Sequence, residues 1–338
     1  MNSSLNTIQP DHVVSPAGRA AIRKVPTKAM DHDQWLQARN EGIGASESAT
    51  AAGLNPFQSQ LELWMLKTGR IEPTPEAPID QMRSPMYWGQ VLEPVVAQHY
   101  TRLTGRKVRR VNAILQHPDY PWMLANLDYS VVASDEVQIL ECKTAGEYGA
   151  KHWKSGPPDY VHCQVQHQLA VTGKQAADVG VLICGQEFRV YRVERDDELI
   201  AQLIALEHQF WQQVISDTPP EADASESARF ALNQLYPGDS GERVDWSEDV
   251  EMNQTFDQLL QVRGRLDQLK TEETALKHRL QQAMAEASEA ILAQGKISFK
   301  RSQDQVTLNT KALLNDQPDL LAQYPLKKAG SRRFLVRV

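Results

Sequence analysis

The sequence predicts an α/β domain, a central mixed sheet flanked by helices, followed by a C-terminal helical and α+β extension. Three observations lead there. Helical and strand periodicities alternate over the first two-thirds of the chain in the order α-α-βββ-α-ββ-α. At "SDTPPEADASESA" (216–228) the composition turns to Pro, Ser and acids, as in a linker. Beyond it a polar stretch with leucines at three-four spacing runs over 250–292. The expected organisation is a flexible N-terminal tail at 1–30, a principal domain at 31–215, a linker at 216–249, and a long helix plus a small α+β region at 250–338.

The elements follow from local chemistry. "SQLELWMLKTG" (59–69) has helical apolar spacing and stops at Gly69, and "PTPEAP" (73–78) reads as a loop. A helix lies within "MYWGQVLEPVVAQHYTRLTG" (86–105), where Pro94 must sit near its start or kink it. Strands are expected at 106–116, 121–133 and 136–143. "DYVHCQVQHQLAVTG" (159–173) is helical with Gly173 as its stop, 177–194 is a hairpin turning at Gly185-Gln186, and 196–216 is an amphipathic helix. The last stretch, ending "RRFLVRV", reads as strands around a short helix, closing with a basic-apolar strand.

Composition excludes several classes. A length of 338 residues gives ample core for one large or two moderate domains. No apolar run approaches the roughly 18 residues of a membrane span. The start lacks an apolar leader region, so a cytoplasmic, non-secreted chain without membrane attachment is expected. Three widely spaced cysteines, Cys142, Cys163 and Cys184, form neither a disulfide framework nor a zinc or iron–sulfur pattern. A formal net charge of −7 excludes a basic nucleic-acid-coating protein. It leaves room for a local basic groove, and "GRKVRR" (105–110) is either that or a solvated strand edge.

Charge within apolar strands is the most informative feature. In "LANLDYSVVASDEVQILECKTAGEY" (124–148), a two-residue loop at Ser134-Asp135 sets Ala133 opposite Glu136 and therefore Asp128 opposite Glu141. Like charges so placed repel. Glu141 and Lys143 share one face while Cys142 takes the other. Two carboxylates and an amine on one spot suit a hard divalent cation with a charge-stabilising lysine; a surface hairpin with solvated charges is the alternative. Farther upstream, "ARNEGIGASESATAAG" (38–53) has Gly42 and Gly44 for close backbone approach, with Ser46 opening a helix. That serine is explained as an N-cap, or, with Arg39 just before it, as part of an anion site. In 163–173, Gln164 and Gln168 share a helical face and Gln166 lies on another; they are either solvated or hold a water or phosphate oxygen beside an acidic site.

Four blocks in order, "WLQARNEGIGASE" (35–47), "WGQVLEPVVAQHY" (88–100), "LANLDYSVV" with "ILECKTA" (124–132, 139–145) and "VHCQVQHQLAVTG" (161–173), resemble the YqaJ-type viral recombinase family. That family contains relatives of the phage lambda alkaline exonuclease, within the PD-(D/E)XK nuclease superfamily. The resemblance spans roughly residues 31–215, which would make the principal domain a nuclease core. It implies that Asp128 and Glu141 bind metal with the Cys142 carbonyl, and that Lys143 orients the attacking water and stabilises charge on phosphorus. Glu93 matches an upstream acid that supports a second metal or its water. Gln166 matches a glutamine lining the site, and Arg39 and Ser46 match residues holding a terminal 5′-phosphate of DNA.

The implied activity is Mg²⁺-dependent, with Mn²⁺ as a substitute. It is a 5′-to-3′ exonuclease acting on double-stranded DNA in phage or prophage recombination. The enzyme would leave 3′ overhangs for a single-strand annealing recombinase and assemble as a homo-oligomer, a trimeric ring being favoured. The alternatives are a structure-selective endonuclease and a non-catalytic DNA-binding or scaffold module on the same fold.

Overall fold

The computed structural model describes residues 20–72, 84–328 and 330–337, in two units that part between Pro237 and Gly238. The loop expected at 73–78 and the first 19 residues of the expected tail lie outside the described residues. In the first unit, strand β1 (Ile22–Pro26), helix α1 (His32–Asn40), strand β2 (Ile43–Gly44), a 3-10 turn (Ala45–Glu47), α2 (Ser48–Ala51) and α3 (Gln60–Lys67) precede a long α4 (Pro85–Thr104). Five strands follow: β3 (Val108–Arg110), β4 (Ala113–Gln116), β5 (Met123–Ala125), β6 (Tyr129–Val131) and β7 (Ile139–Ala145). The short α5 (Glu147–Ala150), then α6 (Asp159–Thr172), β8 (Ala176–Ile183), β9 (Glu187–Glu194), α7 (Asp197–Ile215) and α8 (Glu226–Leu235) complete the unit.

These strands form two sheets, ordered β1-β4-β5-β2 and β3-β6-β7-β8-β9. Both mix parallel and antiparallel pairs: β2 runs parallel to β5 and β7 parallel to β8, while the other neighbours are antiparallel. A parallel pair needs a long crossover, and α6 supplies it between β7 and β8. Helix α4 packs on one face of the larger sheet and α6 on the other. The period-two alternation of β7 follows these layers. Ile139 enters the main core with Val161, Val165 and Leu169 of α6, and Leu140 enters the cluster of Ala97 and Tyr100 from α4. The approach of α4 is close: a Cβ on Gly180 of β8 would stand 3.2 Å from Val96 Cγ1.

Helix ends sit where the residue chemistry puts them. Ser59 caps α3 and Gly69 follows in the left-handed region at φ 68°; Gly105 (φ 73°) and Gly173 (φ 66°) end α4 and α6. Pro94 lies inside α4, which continues through it; the missing N–H and ring clash cost about 3 kcal/mol in a helix interior, offset here by the burial of Val96, Ala97 and Tyr100. The hairpin of β8 and β9 turns at Cys184-Gly185, both with positive φ, one residue earlier than the sequence suggests.

Several expectations need correction. Within the tail expected over 1–30, Ile22–Pro26 instead forms strand β1, antiparallel to β4. The linker expected over 216–249 contains α8, capped by Ser225, whose buried Ala228 and Ala231 and whose Ser227 dock it onto α3. The Pro-Ser-acid composition marks the entry to that helix and masks its two-alanine face. The strand expected at 121–133 is broken at 126–128, where the chain leaves one sheet for the other.

In the second unit, helix α9 (Val250–Met284) stops eight residues before the expected end at 292. Residues 289–298 form a hairpin of β10 (Glu289–Leu292) and β11 (Gly295–Ser298), followed by α10 (Thr310–Asp316) and α11 (Leu320–Gln323). The closing strand expected in "RRFLVRV" is absent from the described residues 330–337.

Candidate active site

The break between the sheets is also what places Asp128. Residues 126–128 bridge β5 to β6, and β6 pairs with β7 so that Tyr129 faces Leu140 and Ser130 faces Ile139. Extending that register by one residue sets Asp128 opposite Glu141, as the sequence suggests, although the loop is wider than two residues. It spans 132–138, with Ala133 at φ 52° and the Ser134 hydroxyl accepting from the Val137 N–H. Asp128 Oδ2 accepts the Cys142 N–H at 2.8 Å, locking the carboxylate to the strand that carries Glu141 and Lys143.

Glu141 is almost fully enclosed, at 3% exposure. Its Oε1 accepts from Gln164 Nε2 at 2.7 Å and pairs with Lys143 Nζ at 2.8 Å, and its Oε2 accepts from Gln168 Nε2 at 2.7 Å. Lys143 also donates to Gln164 Oε1 at 2.9 Å. Gln164 and Gln168, four apart on α6, thus present one face to β7 and clamp a single carboxylate. Gln168 Oε1 is buried with no protein partner. Gln166 is not in this group: its Nε2 donates to the Glu194 carbonyl and its Oε1 accepts from the Asp196 N–H, tying α6 to the end of β9. The structure therefore corrects the placement of Gln166 in the site. On an α-helix a two-residue offset turns a side chain away by more than half a turn.

Electrostatics show an imbalance. Burial, then the neighbouring Glu141 carboxylate, push the Asp128 carboxyl well above the usual range; the Cys142 N–H and Lys143 oppose this and Glu93 adds to it. Burial works against the Lys143 ammonium, but Glu141 and Asp128 outweigh it and hold its pKa above the ordinary value. Burial pushes the Cys142 thiol up strongly, with the surrounding carboxylates, so this cysteine stays a neutral thiol. Glu93, from α4, pairs with Arg110 of β3 at 2.7 Å, and Arg110 Nε donates to the Tyr129 hydroxyl at 3.2 Å. One arginine of the "GRKVRR" cluster thus belongs to the edge of the site, while Arg106 pairs with Glu136.

Two facing carboxylates with one lysine leave a deficit of positive charge, and their oxygen donors have the hardness that Mg²⁺ or Mn²⁺ prefers. Glu141 has lone pairs left beyond its three donors, and the unpartnered Gln168 Oε1 sits beside it as a further acceptor. Among the described residues no three His, Cys, Asp or Glu side chains form a metal-holding group by themselves. The residues fit a cation that takes its remaining ligands from main chain and solvent, as Mg²⁺ commonly does.

A second polar cluster lies at the junction of α1, β2 and the 3-10 turn. Arg39 stacks over Trp35 at 4.6 Å and donates to Ser46 Oγ at 2.9 Å, so the structure brings these two predicted residues together. Arg39 also meets Glu47 at 3.3 Å, and Lys67 meets Glu47 at 2.7 Å while donating to the Arg39 carbonyl. Burial works against the Glu47 carboxylate, but Lys67 and Arg39 outweigh it and lower its pKa, whereas burial lowers that of Lys67. A Cβ on Gly42 would lie 2.3 Å from the Trp122 carbonyl oxygen, and one on Gly44 would press on the Arg39 guanidinium at 3.1 Å. The backbone contact makes Gly42 a requirement, while Gly44 lets the Arg39 side chain approach closely.

Sequence reasoning missed Lys67 and the role of Arg110, and left Gln164 and Gln168 open. The signal for the glutamines was present: polar residues at four-residue spacing on a helix whose Val161, Val165 and Leu169 are all core residues. Lys67 sits in the last turn of an apolar helix, where a basic residue is explained by the helix dipole alone.

The YqaJ-like viral recombinase domain matches residues 34–175, which hold Arg39, Ser46, Glu93, Asp128, Glu141, Lys143, Gln164 and Gln168. The uncharacterized protein YqaJ of Bacillus subtilis (strain 168) is 32% identical over 315 residues, covering 91% of this chain and 95% of that protein. Among solved structures, an alkaline exonuclease from Laribacter hongkongensis aligns with a TM-score of 0.46 and 23% identity, over 60% of this chain and 100% of that one. A phage-related exonuclease from Haemophilus somnus 129PT aligns at 0.37 and 12%, over 52% and 96%. With 32% identity sustained over nearly the whole of both chains, this protein belongs to the YqaJ-like viral recombinase family.

Proposed function

We propose that this protein is a metal-dependent DNA exonuclease that digests duplex DNA from a 5′ end and leaves a 3′ overhang for a single-strand annealing protein. The observation that carries this reading is the enclosed Glu141 carboxylate with Lys143 on the same face of β7 and the half-buried Asp128 set opposite it. Asp128, Glu141 and the Cys142 carbonyl would hold Mg²⁺, with Mn²⁺ as a substitute, and Glu93 would support a second ion or its water. Bound there, the metal supplies Lewis-acid polarisation of the phosphodiester and a lowered pKa for the attacking water.

The side chains of the chain do the rest. Lys143, held by Glu141 and Gln164, presents a fixed ammonium to the charge that develops on phosphorus. The Gln164 and Gln168 amides fix both oxygens of Glu141, so the carboxylate cannot swing away when substrate enters. At the second cluster, Arg39 and Lys67 against Glu47 leave one positive charge in excess, and Ser46 adds a hydroxyl; together they suit a terminal 5′-phosphate. A homo-oligomer, a trimeric ring above all, would confine digestion to DNA with a free end. The setting is the cytoplasm of a bacterial host. No helix among the described residues is long and apolar enough to cross a membrane.

The test is digestion of end-labelled linear duplex beside covalently closed circles, with Mg²⁺ and with excess chelator. Processive loss of the linear DNA only with metal, with circles surviving, is the expected outcome. Linearisation of circles at a comparable rate would replace the exonuclease with an endonuclease.

A further inference from the structure

Helix α9 carries a stripe that the nuclease reading leaves unused. Met252, Leu259, Leu266, Glu273 and Leu280 recur every seven residues, and Val262, Leu269, Leu276 and Ala283 interleave with them, which is the a and d pattern of a coiled coil. The stripe is open: Val262 is 51% exposed, Leu266 49%, Leu269 59%, Leu276 61% and Leu280 42%. A helix of 35 residues, about 52 Å long at about 1.5 Å per residue, normally covers such a seam with another helix.

The residues beside the seam say which helix. Along one edge the charged positions are Arg263, Lys270 and Lys277; along the other, from 265 onward, they are Arg265, Glu272 and Arg279. In a parallel pair of identical helices, Arg265 would face Lys270 of the second copy and Glu273 would meet its own copy inside the seam. The single favourable match would be Glu272 with Lys277. In an antiparallel pair the wholly basic edge would meet itself. Within the helix, Glu273 pairs with Lys277 at 2.6 Å, a contact that a partner cation opposite Glu273 would take over. Asp257 and Asp267 lie off the seam and do not change this balance. Nucleic acid would answer the basic edges but leave the leucines in water.

From this we infer that α9 is the docking surface for a different protein. That protein presents an amphipathic helix with apolar residues in its seam, Glu and Asp on both flanks, and one basic residue opposite Glu273. The flanks then decide specificity, attracting the acidic partner and rejecting a second copy.

The full chain can be tested with two synthetic helices of equal length, both with leucines in the seam and one seam lysine. One carries glutamates on its flanks and the other carries lysines. The glutamate helix is expected to bind at least tenfold more tightly, and added salt should erode the difference. Leu269→Asp with Leu276→Asp should abolish that binding while helical content and the nuclease rate on linear duplex stay as in wild type. Glu273→Lys should shift preference to a helix with a seam glutamate. Equal binding of both helices would overturn the inference. So would sedimentation showing self-association that the double leucine variant removes, since the surface would then belong to a second copy. Loss of DNA binding on neutralising Arg263, Lys270 and Lys277, with the leucine variant unaffected, would reassign the helix to nucleic acid and also reject the inference.

Discussion

Two ionic networks meet the same helix, and they differ in burial and completeness. On one side of α6, His167 is wholly enclosed. Its Nδ1 lies 2.9 Å from Glu207 Oε1 and its Nε2 lies 3.0 Å from the Leu124 carbonyl oxygen, while the Ser48 hydroxyl donates to Glu207 at 2.5 Å. Both ring nitrogens lie against oxygen acceptors, which favours the imidazolium form and sets one cation against one anion. Burial works against that charge, but Glu207 outweighs it and raises the pKa. Elsewhere on the same helix, Gln164 and Gln168 clamp Glu141 beside Asp128, where two carboxyl groups meet one lysine. A closed network joins α2, α6, α7 and β5; an open one asks for a further cation.

The largest effect expected is on catalysis at the open network. Asp128→Asn, Glu141→Gln and Lys143→Ala should each reduce the initial rate on labelled linear duplex by about 10²–10³-fold or more, the scale for losing one electrostatic stabiliser of a transition state. Without metal, the unfolding midpoint in urea should rise in Asp128→Asn, which removes the carboxylate repulsion, stay near wild type in Glu141→Gln, and fall in Lys143→Ala, which strands the enclosed Glu141. The closed network should behave in the opposite way. Glu207→Gln, which strands a buried imidazolium, should lose about 3–5 kcal/mol of stability in urea melts, with its residual rate per folded molecule close to wild type.

Metal sharpens the contrast. Saturating Mg²⁺ at about a hundred times its dissociation constant should stabilise the wild type by about 2.7 kcal/mol, and that gain should vanish in Asp128→Asn but persist in Glu207→Gln. A rise in midpoint that survives loss of Asp128 would place the ion elsewhere.

Acidity separates them further. His167 has a folded pKa above its unfolded value of about 6.5, so the folded state binds the proton more tightly. Its contribution is fully present below about pH 6.5 and is lost as pH rises through the folded value. The groups facing it are Glu207 from α7, the Leu124 carbonyl of β5 and, farther off, Glu47. Metal-free wild type should therefore lose stability on the alkaline side, and His167→Gln should flatten that slope in urea melts taken across the range.

The smallest effect concerns the Arg39 cluster. Wild type should digest 5′-phosphorylated duplex faster than 5′-hydroxyl duplex, and Arg39→Ala should narrow the ratio by severalfold with little change on the hydroxyl substrate. Equal wild-type rates on both would return Ser46 and Arg39 to a purely structural contact with Glu47.

How much of this could be read in the sequence depends on whether the signal was local. Pairing of Asp128 with Glu141 was legible because period-two alternation fixes a register once the hairpin centre is known, and a wider loop at 132–138 kept the same centre. Helix ends at Gly69, Gly105 and Gly173 were legible because a left-handed cap is a single-residue signal. Gln166 was misplaced because family matching follows order along the chain, whereas the carboxylate clamp follows the face of a helix, and Gln164 and Gln168 occupy it. Strand β1 and the docking of α8 were not legible, since each depends on a distant partner, β4 and α3, that local composition does not announce. The His167 network was invisible for the same reason: its members come from positions 48, 124, 167 and 207.

The central claim is that Asp128 and Glu141 form an incomplete charge network that a divalent cation completes for DNA hydrolysis. Its most direct test is the rate of nucleotide release from 5′-phosphorylated linear duplex by wild type and Asp128→Asn, each with Mg²⁺ and after metal stripping with excess chelator. The account predicts rapid release only for wild type with Mg²⁺, and background rates in the other three conditions. Undiminished release by stripped wild type, or by Asp128→Asn with Mg²⁺, would contradict it.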